Sequence, residues 1–176
     1  KKDLTLKTYY FYESEDDLIT AFKKGEIYTI KTSKKSLIDI FSKWKNLKVP
    51  RDVNYNQIMT VFFNTSGSFT SEKDLRKALI HSIPELPELG EKATGPIPPT
   101  SWGYWPNVKK YSQDTAKSKS ILEKTKAATA SGTLNIYTFY DYIGPAQTIK
   151  ASFEKIGLKT NLRILSFLPD DFDVLI

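Results

Sequence analysis

The sequence predicts an α/β fold in which helices pack on a mixed sheet. Three observations predict it. Short segments rich in β-branched and aromatic residues alternate with amphipathic helical segments, which implies βαβ crossovers. Glycines stand just past two of the helical stretches, at Gly25 and Gly157. No apolar run approaches the roughly 18 residues that span a bilayer.

The elements follow in order. Leu4, Leu6 and Thr8 alternate with polar Thr5 and Lys7, and "YYFY" continues a strand to about Tyr12. Ser14 is placed to cap a helix, with Asp17 three residues on; Leu18, Ala21 and Phe22 form its apolar face, and Gly25 ends it. "EIYTIKT" (Glu26 to Thr32) reads as a strand. Leu37, Ile40, Phe41 and Trp44 then fall at i, i+3, i+4 and i+7 of a helix, with Trp44 as a core residue.

"QIMTVFFNTS" is the next strand, ending in a polar turn from Asn64 to Ser68. Thr70 or Ser71 is expected to cap the helix "SEKDLRKALIHSI", whose Leu75, Ala78 and Leu79 share a face and which Pro84 and Pro87 terminate. A long irregular connection runs to about Asn107 and contains "GPIPPTSWGYWP" (Gly95 to Pro106), with four of the nine prolines and two of the three tryptophans. Ser112 is expected to open another helix, with Ser118, Ile121, Leu122 and Thr125 on one side and "AATASG" as a soft end. A third unit follows: strand "TLNIYTFY", turn "DYIG", a helix with Pro145 in its first turn, and strand "LKTNLRIL". "FDVLI" reads as a final strand.

Composition excludes several functions. The chain has 176 residues, no cysteine and one histidine, so thiolate catalysis and Cys-based metal sites are ruled out. The net charge of +6 is carried mainly by Lys, with only Arg51, Arg76 and Arg163 as guanidinium donors, which argues for a solvated basic surface over a nucleic-acid reader. His81, late in its helix, has no nucleophile or orienting partner in sequence and reads as a helix-end residue. Nucleotide-binding glycine motifs, a serine elbow and a zinc-binding HExxH motif are all missing, so no catalytic set assembles and no cofactor is expected. Asp170, Asp171 and Asp173 lack the spacing of a calcium loop and read as a turn before an edge strand.

The binding chemistry is aromatic. Tyr140 and Tyr142 follow a strand at its carboxyl end, where open α/β sheets bind ligands. Trp102, Tyr104 and Trp105 sit in the proline loop, either lining a site or anchoring that loop as a strap over the helices beneath, and the strap is the favoured reading. A basic, aromatic-rich module that stacks single-stranded nucleic acid is the alternative function.

Five segments in order resemble the extracellular solute-binding proteins of family 5, the dipeptide, oligopeptide and nickel-binding components of ABC transporters. They are "DLITAFKKGEIYTI", "VFFNTSGSFTSEKDLRKALIHSI", "TGPIPPTSWGY", "YSQDTAKSKSILEK" and "LNIYTFYDYIGPAQTIKASFEKIGLKTNLRIL". The resemblance implies one lobe of a type II periplasmic-binding-protein fold over residues 1–176, excised from a longer two-lobed chain. It implies uptake rather than catalysis. The ligand, a peptide or similar small solute, would be held by Tyr140, Asp141 and Tyr142, with Asn64, Trp102 and Tyr104 as further ligand-binding or structural positions. The implied partners are the missing first lobe and a membrane permease, with no nucleic acid; the protein would be a monomer. Its expected location is the extracellular face of the membrane or the periplasm, lipid-anchored in the full-length form. The chain departs from the family pattern in a shorter route from the "RKALIHSI" helix to the proline loop, in Ser118 and Thr125 where alanine is usual, and in "SFLPDD" where a helix is usual.

Overall fold

A computed structural model describes residues 6–32, 34–50, 52–67, 69–125 and 132–176. The chain divides into two units, Lys1–Arg51 and Asp52–Ile176.

The first unit is built on two helices, α1 (Glu15–Lys23) and α2 (Lys35–Phe41). Ser14 caps α1 as its sequence predicts, accepting from the Asp17 amide at 3.1 Å, and Glu15, Asp16 and Asp17 complement the positive end of the helix. At the other end Gly25 takes φ 75°, letting its own amide reach the Phe22 carbonyl and the Glu26 amide reach that of Ala21. That pair of bonds satisfies carbonyls the helix leaves open. Phe22, Phe41 and Trp44 pack edge to face and tilted, with ring centroids 5.3 to 6.1 Å apart. Lys34 bonds Glu15 across the two helices.

Residues 6–12 and 26–32 form no strand, although their composition predicts two. Alternation specifies a face, not a partner, and a strand exists only where a second chain segment takes its amides and carbonyls. Among the described residues none does so here, and Leu6, Tyr9, Phe11 and Tyr28 stand exposed.

The second unit contains the sheet. Its elements are β1 (Phe62–Phe63), α3 (Lys73–Ser82), α4 (Thr115–Glu123), β2 (Leu134–Phe139), α5 (Ile143–Lys155), β3 (Thr160–Leu165) and β4 (Val174–Leu175). The strand order is β1-β4-β2-β3, with β1 antiparallel to β4 and the other pairs parallel, so the sheet is mixed. The unit β2-α5-β3 is the βαβ crossover that the sequence predicts. Two strands are shorter than expected: "QIMTVFFNTS" contributes only Phe62 and Phe63, and "FDVLI" only Val174 and Leu175. The latter lies between β1 and β2, so the aspartates of "PDDFD" precede an inner strand and not an edge.

Burial along β2 alternates. Leu134, Ile136 and Thr138 are fully buried, while Asn135, Tyr137 and Phe139 are half-buried. The buried face meets Leu75, Ala78 and Leu79 of α3, Leu122 of α4 and Ile149 and Phe153 of α5 in one core cluster. The opposite face carries a polar ladder: Asn161 bonds Asn135, and Arg163 lies over the Tyr137 ring at 5.9 Å.

Two caps differ from expectation. Thr70 does not cap α3, whose N-cap is Glu72 without a side-chain bond. Its buried hydroxyl instead donates to the Asn64 and Asp173 carbonyls, drawing the turn after β1 onto β4. Arg76 then fastens this turn from the helix, donating Nη1 to the Thr70 and Ser71 carbonyls at 2.7 Å. Helix α4 starts two residues later than Ser112 predicts, because Asp114 accepts from the Lys117 amide and serves as its cap. The soft end expected at "AATASG" falls outside the described residues except for Gly132.

Ser118 of α4 and Thr125 just beyond its end have roles in packing. Ser118 Oγ donates to the Ala78 carbonyl of α3 at 2.6 Å, and Thr125 Oγ1 to the Leu122 carbonyl at 2.7 Å. His81 is a structural residue: its Nδ1 lies 2.9 Å from the Ser112 carbonyl and its ring meets Tyr111 edge to face. Among the described residues no helix is long and apolar enough to cross a membrane, and no cluster of three or more acidic or histidine side chains is arranged to hold a metal.

Candidate functional site

The candidate site lies where β2 ends. Phe139 closes the strand, and Tyr140–Tyr142 make a single 3-10 turn that runs directly into α5. Helix α5 starts at Ile143, ahead of Pro145; the ring costs nothing there because the first amides of a helix have no internal partner. Gly157, at φ 104°, turns the chain back at the far end, with its amide on Glu154 and that of Leu158 on Phe153. This is the same closure that Gly25 gives α1.

The turn presents its side chains outward. Tyr140 is 79% exposed and Tyr142 40%, so two flat apolar faces with phenol tips border Asp141, itself exposed. Because β3 runs parallel to β2 and pairs Phe139 with Leu165, the chain leaving β3 emerges at the same edge of the sheet. It carries Phe167 and Leu168, both exposed. Sequence reasoning missed these two: they are a single apolar pair in "SFLPDD", and only the parallel register shows that they leave the sheet where the tyrosines do. The edge thus gathers aromatic surface with one carboxylate, a set suited to enclosing an organic solute and pairing with a cation or hydroxyl on it.

The other predicted positions lie elsewhere. Asn64 follows β1, donates Nδ2 to Asp171 Oδ1 at 3.0 Å and receives no part in the Tyr140 turn. Its amide bonds the Asp173 carbonyl, and Asp173 bonds Asn135 near the start of β2. Asn135 and Tyr140 are five strand positions apart, about 16 Å at the usual rise. Asp171, the partner of Asn64, is one of the residues that line a shallow recess of about 240 Å³, with Phe69, Thr133, Asn135, Tyr137, Phe172 and Asp173. Its polar side chains already bond one another, as Asn64–Asp171 and Asn135–Asp173 show.

Trp102 and Tyr104 sit on the proline loop. The strap reading of that loop fails at its anchors: Trp102 is fully exposed and Trp105 is 66% exposed, so neither ring is packed on a helix. The loop is held at its base instead, where Lys92 Nζ donates to the Tyr111 carbonyl at 2.8 Å. Prolines and turn bonds give the tip its shape, so no aromatic anchor is required.

Three groups have shifted acidities. Lys77 bonds Asp74 and holds its carboxyl below the ordinary range. Bonds from Lys150 and Thr160 do the same for Glu154, while the Glu91 carboxylate, accepting from the Tyr55 hydroxyl, raises that phenol. None belongs to the Tyr140 turn.

The comparisons agree with this architecture. The model of the bacterial extracellular solute-binding proteins, family 5 middle region, matches residues 7–174. No curated protein matches the chain. Among solved structures, NikZ from Campylobacter jejuni in complex with Ni(L-His) superposes with a TM-score of 0.64 at 20% identity, over 91% of this chain and 36% of that one. DppA from Helicobacter pylori, an ABC transporter-associated periplasmic binding protein in complex with the peptide STSA, gives 0.63 at 21% identity, over 88% and 31%. The oligopeptide-binding protein AppA from Bacillus subtilis, in complex with a nonapeptide, gives 0.53 at 19%, over 65% and 29%. The chain therefore spans about a third of the length of these structures, and the likeness at such identities is one of fold. The fold is that of type II periplasmic binding proteins. The family is one of binding proteins and not of enzymes, and it does not favour a nucleic-acid module. On the match over residues 7–174, the chain belongs to the bacterial extracellular solute-binding proteins of family 5.

Proposed function

We propose that the chain supplies the second lobe of the substrate-binding component of an ABC uptake transporter, capturing peptides or a similar small solute by hinge closure. The exposed turn Tyr140–Tyr142, at the carboxyl end of an inner parallel strand, is the observation that carries this reading. Side chains that a free lobe leaves in water, on a rigid strand-to-helix junction, are what a second lobe closes upon.

Tyr140 and Tyr142 supply apolar walls, and Asp141 pairs with an ammonium or hydroxyl of the solute. Phe167 and Leu168 extend the wall from β3. Ligand bridging two lobes stabilises the closed state by its differential affinity, and the closed form is what a membrane permease receives. The whole protein acts as a monomer at the extracellular face of the membrane or in the periplasm, held by a lipid anchor.

Calorimetry tests the reading. One lobe makes only part of the contacts, so the 176-residue chain titrated with a mixture of tetrapeptides is expected to give no saturable heat in the micromolar range. In the full-length protein the same mixture is expected to bind, and Tyr140→Ala to weaken it at least tenfold, about 1.4 kcal/mol, with an unchanged melting temperature. Tight stoichiometric binding to the single chain, or full affinity in the Tyr140→Ala protein, overturns the proposal.

A further inference from the structure

The proline loop is not absorbed by the solute site, and its construction is distinctive. Residues 92–111 leave and re-enter the fold through a closed neck: Lys92 Nζ donates to the Tyr111 carbonyl at 2.8 Å, joining the two ends of a twenty-residue loop. The neck is tied to the body on both sides. His81 holds Ser112 at 2.9 Å and meets the Tyr111 ring, while Tyr55 donates to Glu91 at 3.1 Å. Such a loop, with its ends together and its own internal bonds, is a rigid surface feature.

The tip is preformed as well. Ser101 N–H reaches the Pro98 carbonyl at 3.0 Å, and Tyr104 N–H reaches that of Ser101 at 3.1 Å, making two successive turns. Trp102 lies in the second turn and is fully exposed; Trp105 is 66% exposed and Ile97 46%. Holding an indole in water is unfavourable, and the fixed prolines deny the loop the freedom to fold it inward.

Charge identifies the occupant. Between residues 92 and 111 there are three lysines, Lys92, Lys109 and Lys110, and no aspartate or glutamate, in a chain that holds 20 acidic residues. Lys109 and Lys110 are exposed and follow Trp105 by four and five residues, within about 18 Å of chain. Tryptophan favours the headgroup layer of a bilayer, where its ring meets apolar chains and its N–H meets water, and nearby lysines are drawn to anionic headgroups by about 1 kcal/mol each. A convex apolar tip with a cationic flank fits a deformable anionic surface; a protein partner would need a pocket shaped to the indole.

We propose that the loop 92–111 is a membrane-surface contact that seats Trp102 and Trp105 in the interfacial layer of an anionic phospholipid bilayer. The contact orients the protein on the membrane that holds its permease. It rests on the family's extracellular placement and on no property of the Tyr140 turn, so a failed solute assay leaves it standing.

Sucrose-loaded vesicles of equal phosphatidylglycerol and phosphatidylcholine test it. The chain is expected to sediment with them and not with pure phosphatidylcholine, and brominated acyl chains are expected to quench its tryptophan emission. Trp102→Ala should lower the partition coefficient several-fold and remove most of the quenching, while Trp44→Phe leaves both intact; circular dichroism confirms that each variant is folded. Lys109→Gln with Lys110→Gln should weaken binding and flatten its salt dependence. No sedimentation with the anionic vesicles overturns the proposal, as does binding that Trp102→Ala leaves unchanged. Vesicle binding that fails while a photo-crosslinker at position 102 captures a membrane protein would assign the loop to a protein partner instead, and equally overturn it.

Discussion

The carboxylate of Asp173 accepts the backbone N–H of Asn135 at 2.9 Å, joining the residue before β4 to the second residue of β2. The Asp173 carbonyl meanwhile takes the Asn64 amide at 3.0 Å and the Thr70 hydroxyl. One residue thus ties together β2, β4 and the turn after β1.

Removing that carboxylate should be felt across the sheet. Asp173→Ala is expected to lower stability by about 1–3 kcal/mol, the range for losing a charge-assisted bond and stranding its donor. Urea unfolding followed by tryptophan fluorescence and by far-ultraviolet circular dichroism measures it, and an unchanged midpoint would refute the role.

Ser118 is buried and donates to the Ala78 carbonyl across the α3–α4 contact. Ser118→Ala should cost about 1 kcal/mol, since the carbonyl is also placed to accept within its own helix. Ser118→Val should cost more, about 1–3 kcal/mol, because extra methyls enter a fully packed site. Reversal of that order in thermal denaturation would show that the site has room for the added methyls.

Gly157 holds φ 104°, and no heavy atom beyond its own chain neighbours lies within 4 Å of where a Cβ would stand. Gly157→Ala therefore meets no clash, and its cost is conformational alone, about 1–2 kcal/mol. The expected outcome is a lower melting temperature with an unchanged near-ultraviolet spectrum. A neutral substitution would mean that the α5–β3 turn is not held in the left-handed region in solution.

Glu154 links α5 to β3, accepting from Lys150 at 2.6 Å and Thr160 at 2.9 Å. These bonds lower its folded pKa below the ordinary 4.5. The unfolded chain therefore binds the proton more readily, so the stabilisation is present above pH 4.5 and is lost as pH falls through the folded value. Glu154→Gln should be slightly less stable than the parent at pH 7 and should close that gap as pH falls through the lowered folded pKa. A difference that persists once the carboxyl is fully protonated would place the effect outside this titration.

Much of the fold was legible because its signals are local. Ser14 with Asp17 marks a helix start by a bond within one turn, and Gly25 and Gly157 mark helix ends because the left-handed conformation favours glycine. The faces of α3 and α4 were readable from 3.6-residue spacing. Tyr140, Asp141 and Tyr142 were locatable as a turn for the same reason, since they directly follow an alternating strand.

What depends on partners far along the chain was not legible. Residues 6–12 and 26–32 carry strand composition, yet only a neighbouring ladder makes a strand, and none forms among the described residues. Thr70 has the chemistry of a helix cap, but Asp173, 103 residues away, competes for its hydroxyl. Trp102 has the size of an anchor, and only the fixed turns beneath it decide that the ring faces water. The sequence by itself determined that the helices exist and where glycine closes α1 and α5, because these rest on bonds between near neighbours, and its alternation of strand and helix marked the crossover β2-α5-β3. The tertiary structure alone decided that β4 lies inside the sheet, that Phe167 and Leu168 emerge beside the Tyr140 turn, and that Asn64 does not, because strand order and register are set by contacts between residues remote in the chain.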